Sequence, residues 1–214
     1  MMRKIIQKTY DTTIRDKLPK KITVHNGVAV RSGALFDSTD VKPDYEESLV
    51  AAMRERVSSG DDVVIVGGGR GVSAVVGSRQ AGADGSVAVY EGAASQVEMI
   101  EETVSLNQAT DAVSVNHAIV GDPRELWSDA DGADRMAADE LPACDVLVLD
   151  CEGSEVDIVP EADLPDIVIV ETHGVFDAPT DETRSLLVER GYEIVADRTE
   201  IAEEDVHVLT ALRK

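Results

Sequence analysis

Residues 60–71 read GDDVVIVGGGRG: four consecutive apolar residues after the acids, then glycines at 67, 68, 69 and 71. VVIV (63–66) is short, β-branched and closed by glycine, as a strand buried on both faces of a parallel sheet should be. Past the glycines, 72–80 reads as a helix of small residues. Glycines at a strand-to-helix turn let the backbone approach a ligand, and the following helix offers unpaired N–H groups and a positive dipole end. The spacing is G-x-G-x-G. The nicotinamide fingerprint G-x-G-x-x-G would need glycine at 72, where Val72 stands.

The alternation continues downstream. SVAVY (86–90), VSVNHAIV (113–120), VLVLD (146–150), IVIVE (167–171), YEIV (192–195) and VHVLTAL (206–212) read as further strands. Helices are expected over 96–107, 133–140 and 181–189, the last closed by Gly191. The fold class is therefore α/β: a Rossmann-like, doubly wound, seven-stranded and mostly parallel sheet. The short acidic connection before 206 makes the last strand antiparallel. Upstream, ITVHNGVAVRSG (22–33) carries an Asn-Gly hairpin signal, and 45–57 reads as a helix. A single domain over 1–214 is expected, with an N-terminal extension over 1–59 (basic arm, hairpin and helix) and a core over 60–214.

Charge is the outlier of the composition: 42 Asp and Glu against 20 Lys and Arg give a net charge of −22. Such a field repels phosphate backbones and anionic headgroups, arguing against general nucleic-acid or membrane-surface binding. With few lysines and 3 % aromatics, it also matches the composition of proteins from salt-loving organisms. Residues 1–42 run the other way, with nine basic against four acidic side chains, a net of +5. No apolar run approaches the ~20 residues of a membrane span, and the N-terminus has no signal-like apolar stretch, so a cytoplasmic protein is expected. Cys144 and Cys151 show neither C-x-x-C spacing nor a zinc-spaced histidine, so no disulfide or structural metal is expected.

Glu91 closes the second strand about 20 residues beyond the glycines, where an acid can accept both ribose hydroxyls of an adenosine ligand. At this point the chain resembles the class I S-adenosylmethionine-dependent methyltransferases, and more narrowly the FkbM type. GDDVVIVGGGRG (60–71) is similar to that family's G-D-x-V-x-D-x-G-A-x-x-G, and VAVYEGAASQVEMIEETVSLN (87–107) to its strand, F-E-P and helix. DVLVLDCEGSEVDIV (145–159) is close to D-x-L-K-I-D-V-E-G-x-E-x-x-V-L, and IVIVETH (167–173) resembles I-I-x-E-x-H. Ile65, Gly92 and Val148 depart from the pattern, standing where it has Asp, Pro and Lys.

The resemblance implies S-adenosyl-L-methionine as cofactor, Gly67, Gly69 and Gly71 near its methionine and ribose parts, and Glu91 on the ribose. It places Asp122 on the adenine amino group, although Pro123 beside it has no N–H to offer. Asp150, Glu152 and Glu155 follow the fourth strand, Asp150 within reach of both cofactor and acceptor. His173 is the expected base for an acceptor hydroxyl, with Glu171, Asp150 or Glu152 orienting it or serving instead. Asp150, Glu152, Glu171 and His173 could also ligate a divalent cation, but no ligand spacing supports this and no metal is expected. The expected acceptor is a small molecule or glycan. Little chain is left for a lid, so the site is open, or closed by the N-terminal segment or a second subunit of a homo-oligomer. The rival readings are a nucleotide-binding oxidoreductase or sugar-nucleotide enzyme, and a catalytically silent binding subunit.

Overall fold

The computed structural model describes residues 18–37, 39–121, 130–174 and 179–214. It opens with a three-stranded sheet, β1 (Lys20–His25), β2 (Val28–Ala34) and β3 (Val41–Lys42), in the order β2-β1-β3. Asn26-Gly27 turns β1 into antiparallel β2, as the hairpin signal predicts, and β3 runs parallel to β1. Helix α1 (Glu47–Arg56) then leads into the main sheet.

That sheet contains β4 (Asp62–Val66), β5 (Ser86–Glu91), β6 (Val113–Val120), β7 (Asp134–Met136), β8 (Val146–Leu149), β9 (Ile167–His173), β10 (Tyr192–Ile201) and β11 (Val206–Arg213). Their order is β10-β11-β9-β8-β4-β5-β6-β7. β11 is antiparallel to both β9 and β10, and the other neighbours are parallel. Helices α2 (Val72–Ala81), α3 (Ala94–Leu106), α4 (Glu155–Glu161) and α5 (Thr180–Glu189) complete the layers.

Alternation along the strands sorts the core onto two faces. Val63, Ile65, Val146, Val148, Ile169 and Val208 pack with Met53 of α1, Val75 of α2 and Ile100 of α3. Val64, Val66, Leu147, Leu149, Val168 and Val170 pack on the other face, with Ile158 of α4 and Leu187 of α5. Each such buried aliphatic side chain contributes about 1.5–3 kcal/mol relative to exposure, which makes a strand that is apolar on both faces stable only between two helix layers. The three-stranded sheet is tied to this core by Asn107, whose amide oxygen accepts from Ala29 N (3.1 Å) and whose Nδ2 donates to Ala29 O (2.8 Å).

Three expectations need correction. The main sheet has eight strands, and the N-terminal hairpin gains a third. The helix expected over 133–140 is instead β7, paired in parallel with Ala118–Val120, followed by a single 3₁₀ turn over Ala138–Glu140. The open edge of β6 outweighs the local helix preference of this Ala- and Asp-rich stretch, a case of tertiary pairing overriding propensity. The helix expected over 45–57 begins only at Glu47, because Glu46 adopts a left-handed conformation (φ 48°). Helix α4, which the sequence reading leaves unassigned, is seven residues long with Pro160 inside it, too short for a periodic signal.

Candidate functional site

A cleft of about 450 Å³ opens at the carboxyl ends of β4, β5, β8 and β9. This is the edge at which open α/β sheets hold ligands. One end is backbone. Gly67 has φ +85°, and a Cβ there would overlap the carbonyl oxygen of Asp150, so β4 and β8 close on each other only because residue 67 has no side chain. Gly69 faces open space: a Cβ there would find Glu46 Oε1 as its nearest neighbour, at 3.8 Å. Gly71 does not line the cleft; it caps α2, and a Cβ would press on Ile100 Cα and Thr103 Cβ of α3, both at 3.1 Å. Its place is close helix packing.

Glu91 sits at the cleft wall with its carboxylate fixed by two backbone donors. Gly68 N donates to Oε2 (3.0 Å) and Ala93 N to Oε1 (2.9 Å). Each oxygen keeps a lone pair for a further donor, so the group is oriented without being used up. A hydroxyl-bearing sugar fits this arrangement. Asp122 and Pro123 lie outside the described residues.

The other end is made of side chains. Asp150 follows β8, Glu171 and His173 end β9, and all three line the cleft with Glu152. Glu171 and His173 are each 8 % exposed. His173 Nδ1 donates to Glu155 Oε1 at 2.9 Å, while Nε2 lies 3.5 Å from Asp150 Oδ1 and 3.7 Å from Glu171 Oε1. Glu155 is fully buried and is itself held by Cys151 N (3.1 Å) and Gly153 N (2.8 Å). Imidazole orientation is thus set by a carboxylate that the backbone has already fixed.

The electrostatics are those of crowded, poorly hydrated acids. Burial, then the charges of Asp150, Glu46, Glu200 and Glu155, push the Glu171 carboxyl far above its ordinary range, to about 10. Burial pushes Asp150 up to about 6 against the opposing pull of His173. Burial alone would lower His173, but the Glu155 hydrogen bond and the charges of Asp150, Glu155 and Glu152 outweigh it and raise the imidazole.

The N-terminal extension reaches this end too. Tyr45 and Glu46 line the cleft, and Arg70 lies over the Tyr45 ring at 5.7 Å from its centre. Burial and then Asp150 raise Glu46 to about 8. Glu200 of β10 accepts from Glu47 N (3.1 Å) and Ser48 N (2.9 Å), which anchors the start of α1 over the site. Glu46 and Glu152 both have positive φ, 48° and 53°, a conformation that costs a non-glycine residue on the order of 1 kcal/mol and concentrates at functional sites.

Sequence reasoning gives no site role to Tyr45, Glu46, Glu200 or Arg70. Glu155 carries a signal, as the final acid of D-x-E-G-x-E, but its part in holding His173 needs the fold. Ile65 and Val148, two departures from the resembled pattern, are direct register partners on β4 and β8 and lie buried in the same core layer. They stand together as one apolar pair across β4 and β8.

No known family profile matches the chain, and no curated protein matches it in sequence. Solved structures do match in fold. The ribosomal protein L11 methylase of Lactobacillus delbrueckii subsp. bulgaricus aligns at TM-score 0.56 and 16 % identity, over 86 % of this chain and 90 % of that one. A SAM-dependent O-methyltransferase of Thermotoga maritima aligns at 0.54 and 17 %, over 91 % and 78 %. A precorrin-6y C5,15-methyltransferase of Geobacter metallireducens aligns at 0.55 and 14 %, over 81 % and 89 %. The chain therefore has the Rossmann-like α/β fold shared with SAM-dependent methyltransferases. Among the described residues no helix is long and apolar enough to cross a membrane.

Proposed function

We propose that the chain is an S-adenosyl-L-methionine-dependent methyltransferase of FkbM type, acting on a hydroxyl oxygen of a small molecule or glycan. The observation that carries this reading is one cleft with two differently built ends: glycine backbone and the fixed Glu91 carboxylate facing the Glu155–His173 pair. When bound, the cofactor supplies an activated methyl group. Glu91 would hold the ribose hydroxyls, and the Gly67–Gly69 backbone would lie against the adjoining part. Asp150, in the acidic end but with its backbone against Gly67, would bear on the amino group of the cofactor or on the acceptor.

Alignment of the attacking oxygen is the main task left to the protein, and good positioning removes about 7–11 kcal/mol of barrier. With Nδ1–H committed to Glu155, the Nε2 of a neutral His173 can take the hydroxyl proton, a contribution of roughly 10²–10⁴ in rate. The raised affinity of this imidazole for protons sets a cost: the base form grows as pH rises above neutrality, so the rate should rise with it. The Ile65–Val148 pair is buried away from the cleft and removes no lining group, which favours an active site over a silent fold.

Thermal unfolding with S-adenosylmethionine, S-adenosylhomocysteine, NAD⁺ and NADP⁺ in separate samples tests the reading. A ligand at 100 times its Kd adds ~2.7 kcal/mol. Stabilisation by the two sulfur compounds alone, abolished in Glu91→Ala, is expected. A shift with the nicotinamides, or with none of the four, would overturn it.

A further inference from the structure

Glu171 Oε2 is a buried carboxylate oxygen with no hydrogen-bond partner among the described residues, on a residue 8 % exposed whose other oxygen, Oε1, lies 3.7 Å from His173 Nε2 in the cluster with Asp150. An orphaned buried polar atom is costly, and a bound ion is one of the partners that can satisfy it. One ligand atom from each of Asp150, Glu171 and His173 lies within 4.8 Å of the others. We propose that these three side chains bind a first-row divalent metal ion, contrary to the sequence expectation of none.

Four features support the assignment. The donor set is two carboxylate oxygens and one imidazole nitrogen, a mixture that suits Mn²⁺, Fe²⁺ or Zn²⁺ better than Ca²⁺, which takes oxygen ligands only. Separations of 3.5 and 3.7 Å from His173 Nε2 to the two oxygens are those of ligands ~2.1 Å from one ion at angles of roughly 110–125°. The Nδ1–H bond to Glu155 places the remaining nitrogen lone pair toward the cluster, the carboxylate–histidine–metal arrangement that orients ligating imidazoles. Charge agrees as well, because Asp150, Glu155 and Glu171 converge on a single imidazole with no Lys or Arg among the residues lining this end except Arg70, which is stacked on Tyr45.

Three protein ligands leave open positions on the cleft side. On the methyltransferase reading, on which this last step rests, an acceptor hydroxyl binds there. An ion held there would polarise the hydroxyl and ease loss of its proton to solvent at the cleft mouth, with Nε2 as a ligand; in the metal-free chain Nε2 remains the proton acceptor.

Metal binding can be measured without any acceptor. The full chain, stripped with chelator and held at about 1 M salt to screen its surface carboxylates, is titrated with Mn²⁺ while the spectrum of the free ion is followed by electron paramagnetic resonance. One saturable Mn²⁺ per chain is expected, displaced by Zn²⁺ and not by Ca²⁺. Glu155→Gln, which touches no ligand position but loosens His173, should weaken binding about 10–100-fold, and Glu171→Gln at least as much. The melting shift with S-adenosylhomocysteine should survive in both variants, which reports an intact fold and separates this inference from the proposed function. Absence of saturable Mn²⁺ binding, or binding of unchanged strength in Glu171→Gln, would overturn the site whatever the sulfur compounds do.

Discussion

At one end of the cleft the backbone makes the surface, and at the other the side chains do. The glycine end uses consecutive residues of a single β4–α2 turn and one acid two strands' length away in sequence, Glu91. The acidic end gathers Glu46, Asp150, Glu155, Glu171, His173 and Glu200 from before α1, after β8, the start of α4, the end of β9 and β10. A backbone surface fails all at once where an added Cβ meets another strand, as at Gly67. A side-chain surface can lose one member and keep its shape while its chemistry changes.

Gly67→Ala should therefore have the largest effect of any single change. Its Cβ meets the Asp150 carbonyl and would part β4 from β8, at a cost of more than ~4 kcal/mol. Gly69→Ala, facing open space, should cost only about 1–2 kcal/mol. Thermal unfolding of the pair decides; equal losses would mean that close approach of the two strands is not what residue 67 provides.

Next comes His173→Gln, expected to cut methyl transfer by about 10²–10⁴ with S-adenosylhomocysteine binding unchanged. Loss of cofactor affinity in this variant would erase the division between the two ends. Glu91→Ala is the mirror experiment: it strands the N–H groups of Gly68 and Ala93, should lower stability by about 1–3 kcal/mol, and should abolish the cofactor's melting shift.

Glu171→Gln has a sign opposite to the others and an effect that vanishes at low pH. The Glu171 carboxyl is raised from 4.5 to about 10, so between those values the folded chain holds a proton that the unfolded chain releases. Stability from this group is complete below 4.5 and declines as pH rises toward 10. His173, also raised, adds a decline of the same sign above its ordinary 6.5. In metal-free buffer the glutamine variant should match the parent near pH 4.5 and melt increasingly above it as the pH is raised to 8. A parallel pH profile in the two proteins would show that Glu171 is not the strained member.

This contrast also explains what can be read from the sequence. The glycine end is legible because local chemistry dictates it: VVIV, the glycines and Glu91 lie within one βαβ unit. At the acidic end Asp150, Glu152, Glu171 and His173 are legible as motif members at strand ends, whereas Glu46 and Glu200 carry no local signal. Glu46 lines the cleft only because α1 packs over β9, and Glu200 bears on it only by anchoring the start of that helix. Strand β7 escapes the sequence for a related reason, since its partner is the edge of β6 and no property of DRM announces it. Ile65 and Val148 read as two separate losses in sequence, and only the register joins them.

The position of β11 between β9 and β10 bears on how the chain is made. β10 pairs with β11 and with no other described strand, and β9 has β11 as its partner on the side away from β8. On the ribosome, both β9 and β10 emerge before the strand that joins them. Until residues 206–213 have been synthesised, the apolar run Ile167–Val170 presents an unpaired edge to other nascent chains. Dense acidic charge then acts as an insurance against aggregation during translation, by keeping incomplete chains apart over the interval in which that edge is open.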